Sequence, residues 1–332
     1  MKKTNLNRSV TKWAVVLFTL ALINTSCKKN PPEPANPLVG LENFNQVNLV
    51  ANNASYYASR IDTVLQNAWG ISFSPTGNIW LSANVTGYSV VYDKMGTQLL
   101  SPVSIPSPKT AGGGAVTGQV FSGAANFLLP NGSPAIFIFA TQDGIIAGWN
   151  KGKISNAVTK INNSTTASYF GLALASNMGA NYIYAANFKQ ASIDVFDNNW
   201  NSVNMKFTDA NLPAQYSPFN IQKVGDQLYV LYAKVGADGN EIHAAGLGIG
   251  KDSSAFNNTI LVGNFGDGHI NAYNGSGTFL GPIKSHGKAL VVDGLWAISF
   301  APATATSINP NWLYFGAGPN YEKDGLFGYI SK

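Results

Sequence analysis

The side chains that could take part in chemistry are mainly amides and tryptophans, with a few separated carboxylates. The sequence has no hydrolase serine elbow, zinc-protease helix motif, phosphate loop or CxxC pair. Its three histidines stand far apart. Asp143-Gly144 and Asp267-Gly268 are typical of tight turns first, with metal ligation as the alternative. These residue types therefore favour binding over acid–base or nucleophilic catalysis.

The elements that must position these side chains are short apolar strands, which recur in six similar units. Gly70, Gly118, Gly171 and Asn220 occupy equivalent places and are separated by 48, 53 and 49 residues. The apolar runs are five or six residues long and show no helical periodicity. A period near 50 residues with several strands per unit is typical of a propeller blade of four strands. We therefore predict an all-β fold, a six-bladed β-propeller.

Strand counting makes two further predictions about the ring. The chain from Asn220 to Ala297 is 77 residues long, although two periods need about 100. Residues 236–250 are glycine-rich, which predicts a shortened blade in this region, without the third strand of unit four and the first of unit five. The last unit has only three strands, so residues 46–50 are expected to pair outside residues 326–330 and close the sixth blade.

In such a ring, the turn after each second strand and the entry to each first strand open on one face. We predict that this face is the ligand site and that it collects Trp69, Asn84, Asp143, Asn187, Asn220, Lys234, Asn264, Asp267, Asp293 and Trp296. Amides donate and accept hydrogen bonds, and an indole covers apolar sugar surface, so the expected ligand is a glycan or a protein. The alternative is that the asparagines cap strand ends and the tryptophans fill gaps between blades.

The polar positions nearest the ring axis argue against a calcium-dependent lactonase. Such an enzyme would need acidic ligands converging on the axis. The aligned residues contain no carboxylate: they are Asn84, Thr141, Asn187, Lys234, Asn264 and Gly318. We predict no catalytic residue, metal ligand or cofactor, and keep calcium as a minor alternative.

The first 26 residues are predicted to be a signal peptide. A basic start is followed by an apolar run of eleven residues, shorter than the 20 or so residues that span a membrane. Cys27, the only cysteine, follows a small residue as in a bacterial lipobox, although Asn24 stands where leucine is usual. We predict lipidation at Cys27, a proline-rich tether over residues 27–40 and the propeller over residues 41–332. The alternative is an ordinary secreted protein with an incidental cysteine.

The net charge of +5 arises largely from this leader. Lys2, Lys3, Arg8 and Lys12 precede Cys27, and the rest of the chain has 17 basic and 16 acidic residues. A nearly neutral domain lacks the positive field that attracts nucleic acid, so we expect no nucleic-acid partner.

Residues 67–77, 137–150 and 261–268 resemble a family of uncharacterised bacterial secreted proteins, distantly related to NHL-type propellers. Some members carry C-terminal sorting tails. The resemblance extends over about residues 48–330 and implies six blades without implying an activity. Between Gly250 and Thr259 the chain departs from the family, whose members usually carry another strand pair and a second tryptophan–glycine motif there.

Together these features predict a monomeric propeller, anchored to the cell envelope through lipid on Cys27, on the periplasmic or the surface side of the outer membrane. The expected function is non-catalytic binding or scaffolding. The second candidate is a hydrolase or lyase that acts in the channel on a sugar or lactone. Calcium with a carboxylate pair in the central funnel would favour the enzyme.

Overall fold

The computed structural model describes residues 40–332 except 112, 124–125, 153–155, 208, 243–244, 250–255 and 257–258. Cys27 and the predicted signal peptide lie outside the described residues. The described part is almost entirely β-structure, with one short 3-10 helix at Ala54–Tyr56. None of its helices combines the length and the apolar character needed to cross a membrane.

The strands form six blades around an axis, as the repeats predict. Strands β1 (Asn45–Ala51) and β2 (Arg60–Ile61) come first. Blade one has β3 (Ala68–Phe73), β4 (Ile79–Ala83), β5 (Tyr88–Tyr92) and β6 (Val103–Ser104); blade two has β7 (Val116–Phe121), β8 (Phe137–Thr141), β9 (Ile145–Trp149) and β10 (Val158–Asn162). Blade three has β11 (Tyr169–Asn177), β12 (Ala180–Asn187), β13 (Ser192–Asp197) and β14 (Ser202–Val203).

The second half completes the ring. Blade four has β15 (Tyr216–Val224), β16 (Gln227–Val235) and β17 (Glu241–Ile242); blade five has β18 (Ala245–Ile249), β19 (Ile260–Asn264), β20 (Ile270–Tyr273) and β21 (Phe279–Pro282). A small hairpin follows, β22 (Lys284–Ser285) and β23 (Lys288–Ala289). Blade six has β24 (Leu295–Phe300), β25 (Leu313–Ala317) and β26 (Leu326–Ser331). Strands β4, β8 and β25 are buried along their whole length because both faces of a blade pack against neighbours.

Blade four is the shortened blade, which confirms the predicted location of the short blade. The two strands that we expected to be missing are, however, present. The third strand of unit four exists as β17, of which Glu241 and Ile242 are described. The first strand of unit five is β18, inside the glycine-rich stretch that we expected to lack it. Backbone pairing with β19 holds this strand despite its poor strand propensity. The inner strands of all neighbouring blades are in contact, so the ring is closed.

The N-terminal strand closes the sixth blade, as predicted. Strand β1 pairs antiparallel with β26, from Asn45 opposite Ser331 to Ala51 opposite Leu326. The carboxylate of Asp324 strengthens this closure, since it accepts hydrogen bonds from side chains that follow β1. Its donors are Asn52 Nδ2 (3.0 Å), Asn53 Nδ2 (3.0 Å) and the Tyr56 hydroxyl (2.7 Å).

Replacing Asp324 with alanine should loosen the closure in a pH-dependent way. Burial acts to raise the pKa of Asp324, but the hydrogen bonds from Asn52, Tyr56, Asn320 and Asn53 outweigh it and hold that pKa below its ordinary value. A carboxyl group whose pKa is lower in the folded state stabilises the fold at pH values above its pKa in the unfolded state. This stabilisation is lost as the pH falls through the folded-state pKa. We expect Asp324→Ala to cost about 2 kcal/mol of unfolding free energy at pH 7, and less below about pH 4.

Urea unfolding of both proteins from pH 3 to pH 8 measures this difference. Asp226→Ala is the matched control, because Asp226 is exposed and no hydrogen bond to its side chain is found among the described residues. A pH-independent loss in Asp324→Ala, or an equal loss in the control, would contradict the role of the carboxylate.

Candidate functional site

A β-bulge in the inner strands directs large side chains toward the axis. The pairing of β3, β7, β11, β15 and β24 with their neighbours shifts by one residue at equivalent places. A bulge leaves one residue unpaired and changes the direction of its side chain. In four of the five strands an aromatic residue stands at the bulge: Trp69, Phe170, Phe219 and Trp296.

These aromatic side chains meet across the axis and close the channel near one end. Trp69 and Trp296 stack with ring centroids 3.8 Å apart and planes at 9°. Phe219 lies 6.0 Å from Trp69 although their blades, four and one, are opposite each other in the ring. Phe265 stacks on Trp296 at 4.1 Å. We call this cluster the aromatic plug; its members are Trp69, Phe170, Phe188, Phe219, Phe265 and Trp296.

On one side of the plug the channel widens into a cavity of about 580 Å³, which we call the cup. Inner strands of five blades line it, and Trp69 and Phe170 reach it from the plug. Phe121 and Phe300 stand at the ends of their strands and Leu174 within β11, and all three are half-buried apolar residues of its lining. A cup with an aromatic floor and an apolar rim can hold a small molecule, because small-molecule sites commonly enclose about 300–1,000 Å³.

Three amides line the cup, and two of them can offer hydrogen-bonding groups to a ligand, because the third, Gln119, is buried and bonded to Ser89, Gly70 and Trp80. Asn220 is half-buried and its Oδ1 accepts from the backbone N–H of Ile221 (2.8 Å). Gln222 is half-buried, and its side chain has no hydrogen-bond partner among the described residues. Lys223 is the ionisable side chain among the described lining residues, and it is exposed. The cup can therefore offer amide donors and acceptors beside an aromatic surface.

The face that we predicted as the ligand site lies on the other side of the plug, and we call it the closed face. Trp69 and Trp296 are not exposed on the closed face, because they are buried in the aromatic plug. Asn220, assigned to the same face, instead lines the cup. Asn84 Nδ2 donates to the carbonyl of Val116 (3.2 Å) and to Gln142 Oε1 (3.4 Å). Asn187 accepts from the backbone of Ser168 and donates to Asp194 Oδ2 (2.9 Å).

The remaining predicted residues lie in separate small networks. Asn264 donates to Asp267 (2.9 Å), which also contacts His269 Nδ1 at 3.1 Å. Asp143 accepts from Ser107 (3.0 Å) and lies 3.4 Å from Lys109 Nζ. Asp293 accepts from the backbone N–H of Asn320 (3.3 Å), and Lys234 is exposed. In the described part of the chain, no three His, Cys, Asp or Glu residues are grouped so that they could hold a metal ion.

Sequence reasoning missed two glutamates on the closed face. Glu322 accepts from Asn67 Nδ2 (3.0 Å), and Asn67 in turn accepts from Trp296 Nε1 (2.5 Å). Burial raises the pKa of Glu322, although the hydrogen bond from Asn67 lowers it. Burial and the negative charges of Glu322 and Asp238 raise the pKa of Glu241. No local sequence motif indicates this pair, because Glu241 belongs to blade four and Glu322 to blade six.

An unusual turn positions Glu322. Asn320, Tyr321 and Glu322 all have left-handed backbone conformations, with φ of 56°, 55° and 67°. Each such residue costs roughly 1–2 kcal/mol when it is not glycine. The Glu322 N–H donates to the Gly318 carbonyl (3.1 Å), and this hydrogen bond stabilises the turn.

The chain was compared with family models, curated proteins and solved structures. No family model matches the chain. Two uncharacterised proteins of Acanthamoeba polyphaga mimivirus are each 27% identical to it; both alignments cover 86% of this chain, and they cover 80% and 86% of the viral proteins. A streptogramin B lyase structure has a TM-score of 0.52 at 12% identity, over 86% of this chain and 97% of the lyase. A gluconolactonase from Xanthomonas campestris has a TM-score of 0.44 at 12% identity, over 91% and 99% of the two chains.

The lyase likeness shows a shared propeller fold. The sequence relatives are viral, so they lend no support to the bacterial origin or to the lipid anchor predicted from the N-terminal residues.

Proposed function

We propose that this protein is a non-catalytic binding propeller that takes a small neutral ligand in the cup. The observation that carries this proposal is the cup itself, a channel of about 580 Å³ that the aromatic plug closes near one end. Such a channel is a pocket with a floor, so a ligand that enters can be surrounded on several sides.

The lining indicates the class of ligand. The aromatic floor and rim can cover the apolar face of a sugar ring, and the amides of Asn220 and Gln222 can bond its hydroxyl groups. A neutral saccharide fits this surface better than a strongly charged ligand, since the described lining residues include one exposed lysine and no carboxylate.

Thermal-shift screening of the purified protein with neutral mono- and disaccharides, followed by calorimetry, tests the proposal. We expect a saccharide to raise the Tm, and Gln222→Ala to weaken its binding roughly three- to tenfold, as loss of one hydrogen bond implies. Because Gln222 has no partner within the described structure, the variant should keep the parental Tm without ligand.

The control variant is Asn187→Ala combined with Asn264→Ala on the closed face, which should leave saccharide binding unchanged. If this double variant weakens binding and Gln222→Ala does not, the ligand site is the closed face and the cup proposal is wrong. If the screened saccharides, or lactones incubated with the protein in parallel, are converted to products, the hydrolase or lyase alternative replaces it. Glu322→Gln would then test the glutamate pair, because a carboxyl group with a raised pKa can act as a general acid.

We further propose that Cys27 carries the lipid that anchors the propeller to the cell envelope. The support is the single cysteine after a short apolar run, followed by a segment with four prolines in ten residues. In a bacterial host, the parent protein should sediment with membranes and Cys27→Ala should not, because several acyl chains on one residue suffice for stable anchoring. A Cys27→Ala protein that stays in the membrane pellet would overturn this proposal.

A further inference from the structure

The cup is a channel with a continuous wall and one closed end. The inner strands of neighbouring blades are in contact around the ring, so the wall is continuous. The aromatic plug fills the channel beyond Trp69 and Phe170, which form the floor of the cup. Within the part of the chain that the structure describes, a ligand can therefore enter only through the end that faces away from the plug, which we call the mouth. A long chain can put one of its ends into such a channel but cannot pass through it.

The hydrogen-bonding groups that the cup can offer to a ligand lie along one strand of its wall, β15. Asn220 directly follows the plug residue Phe219, so it lies beside the floor. Gln222 lies two residues farther toward the mouth, about 6.6 Å along the strand. Two amides at different depths can hold a chain along the axis, and the deeper amide is placed beside the tip of that chain.

Asn220 has the groups needed to recognise the tip of a saccharide chain. Its Oδ1 accepts from the backbone N–H of Ile221, which leaves one lone pair, and its Nδ2 has no hydrogen-bond partner among the described residues. The end of a saccharide chain carries a hydroxyl group where an interior unit has a glycosidic oxygen. A hydroxyl group donates and accepts, whereas a glycosidic oxygen only accepts, so an amide with both free groups favours the end.

We infer that the cup binds the end of a neutral hexose chain, with the terminal unit beside Asn220 and the rest of the chain leaving through the mouth. This inference rests on the binding function proposed above, and it narrows the ligand from neutral saccharides in general to chain ends. A cavity of about 580 Å³ holds only a short part of a long chain, so the units beyond it lie in solvent and add little affinity. A saccharide ring without ends is excluded because it cannot reach the floor.

Linear and cyclic forms of one glucose chain test this inference. Glucose units carry their hydroxyl groups around the ring edge and leave apolar faces for an apolar wall. Maltoheptaose and β-cyclodextrin contain the same seven α-1,4-linked units, but only maltoheptaose has ends. In calorimetry with the full protein, maltoheptaose should bind roughly tenfold more tightly than β-cyclodextrin or better. Maltotriose should bind about as tightly as maltoheptaose, since its end enters the cup in the same way.

Modified ends of maltoheptaose identify the end that enters. Maltoheptaitol has an opened ring at the reducing end, and a 4,6-O-ethylidene group blocks the other end of the chain. One of these two probes should bind roughly tenfold more weakly than maltoheptaose, and the other should bind equally well.

Variants of the loop beside the mouth show whether the chain enters there. Thr304 lines the cup and is exposed, so Thr304→Trp narrows the mouth and should weaken maltoheptaose binding roughly tenfold. Thr306→Trp is the matched control, because Thr306 is equally exposed in the same loop but lies outside the lining of the cup. The control should bind maltoheptaose as the parent protein does.

Four results would overturn the inference. β-Cyclodextrin could bind as tightly as maltoheptaose, or both end-modified probes could keep full affinity; either result would mean that a chain binds along its length. Thr304→Trp could bind like its control, which would place the site elsewhere. All the glucose chains could fail to bind, which would exclude the hexose chain. In that last case another neutral saccharide that raises the Tm would still support the proposed function, so the two proposals can fail separately.

Discussion

Removal of residues 40–51 is expected to unfold the propeller. This segment contains β1, which covers the outer edge of β26 in blade six. Leu41, Phe44, Leu49 and Val50 are all buried. Burial of an apolar side chain of this size is worth about 1.5–3 kcal/mol, so the four together contribute about 6–12 kcal/mol. That sum is comparable to the whole stability of a typical domain, which is about 5–15 kcal/mol.

Near-UV circular dichroism and the cooperativity of urea unfolding should show the loss of fixed packing in the truncated protein. A synthetic peptide of residues 41–61, added in excess, should restore both signals because the exposed edge of β26 is a template for the same strand. A peptide with Val50 replaced by aspartate should fail, since Val50 is fully buried. A truncated protein that unfolds cooperatively at the parental Tm would contradict the closing role of β1.

Gly118→Ala should lower the unfolding free energy by about 3 kcal/mol, through overpacking rather than backbone strain. A Cβ on Gly118 would lie 2.5 Å from the backbone nitrogen of Leu172 and 2.8 Å from its Cβ, in the inner strand of the next blade. Gly171 has the same relation to Asn220, where a Cβ would lie 2.8 Å from Cα. The inner strands converge so closely on the axis that neither partner can retreat without displacing its own blade.

The matched control is Gly275→Ala, because a Cβ there meets nothing within 4 Å and its φ is not in the left-handed region. Thermal unfolding should show a decrease of roughly 6–10 °C for Gly118→Ala and little change for the control. Equal Tm values for the two variants would show that the inner strands tolerate a wider spacing than the structure indicates.

The fold could be predicted from the sequence because the same sequence pattern repeats in each blade. Short apolar runs, small residues at the ends of second strands and turns at a regular spacing all recur, so an error in one unit is corrected by the others. The unpaired strand at residues 46–50 and the three-stranded last unit together predicted the closure. The prediction was wrong at β18, where glycines in a strand hide a pairing that only the neighbouring strand β19 imposes.

The candidate site could be predicted only in part from the sequence, because the direction of the side chains at the inner strands depends on the bulge. The sequence shows an aromatic residue before each small residue, as in Trp69-Gly70 and Phe170-Gly171. It does not show that this residue is the extra one at a bulge, or that its side chain therefore points to the axis. That displacement moves the tryptophans from the predicted face into the plug. The open cavity consequently lies on the other side, where we had placed no site.

The sequence by itself determined the architecture: six all-β units, one of them short, closed by the N-terminal strand. Only the tertiary structure decided which end of the channel is open, and which distant residues meet there. The physical reason is that local pattern and spacing specify strands and turns, whereas Trp69 and Phe219, or Glu241 and Glu322, come from different blades and are brought near one another by closure of the ring.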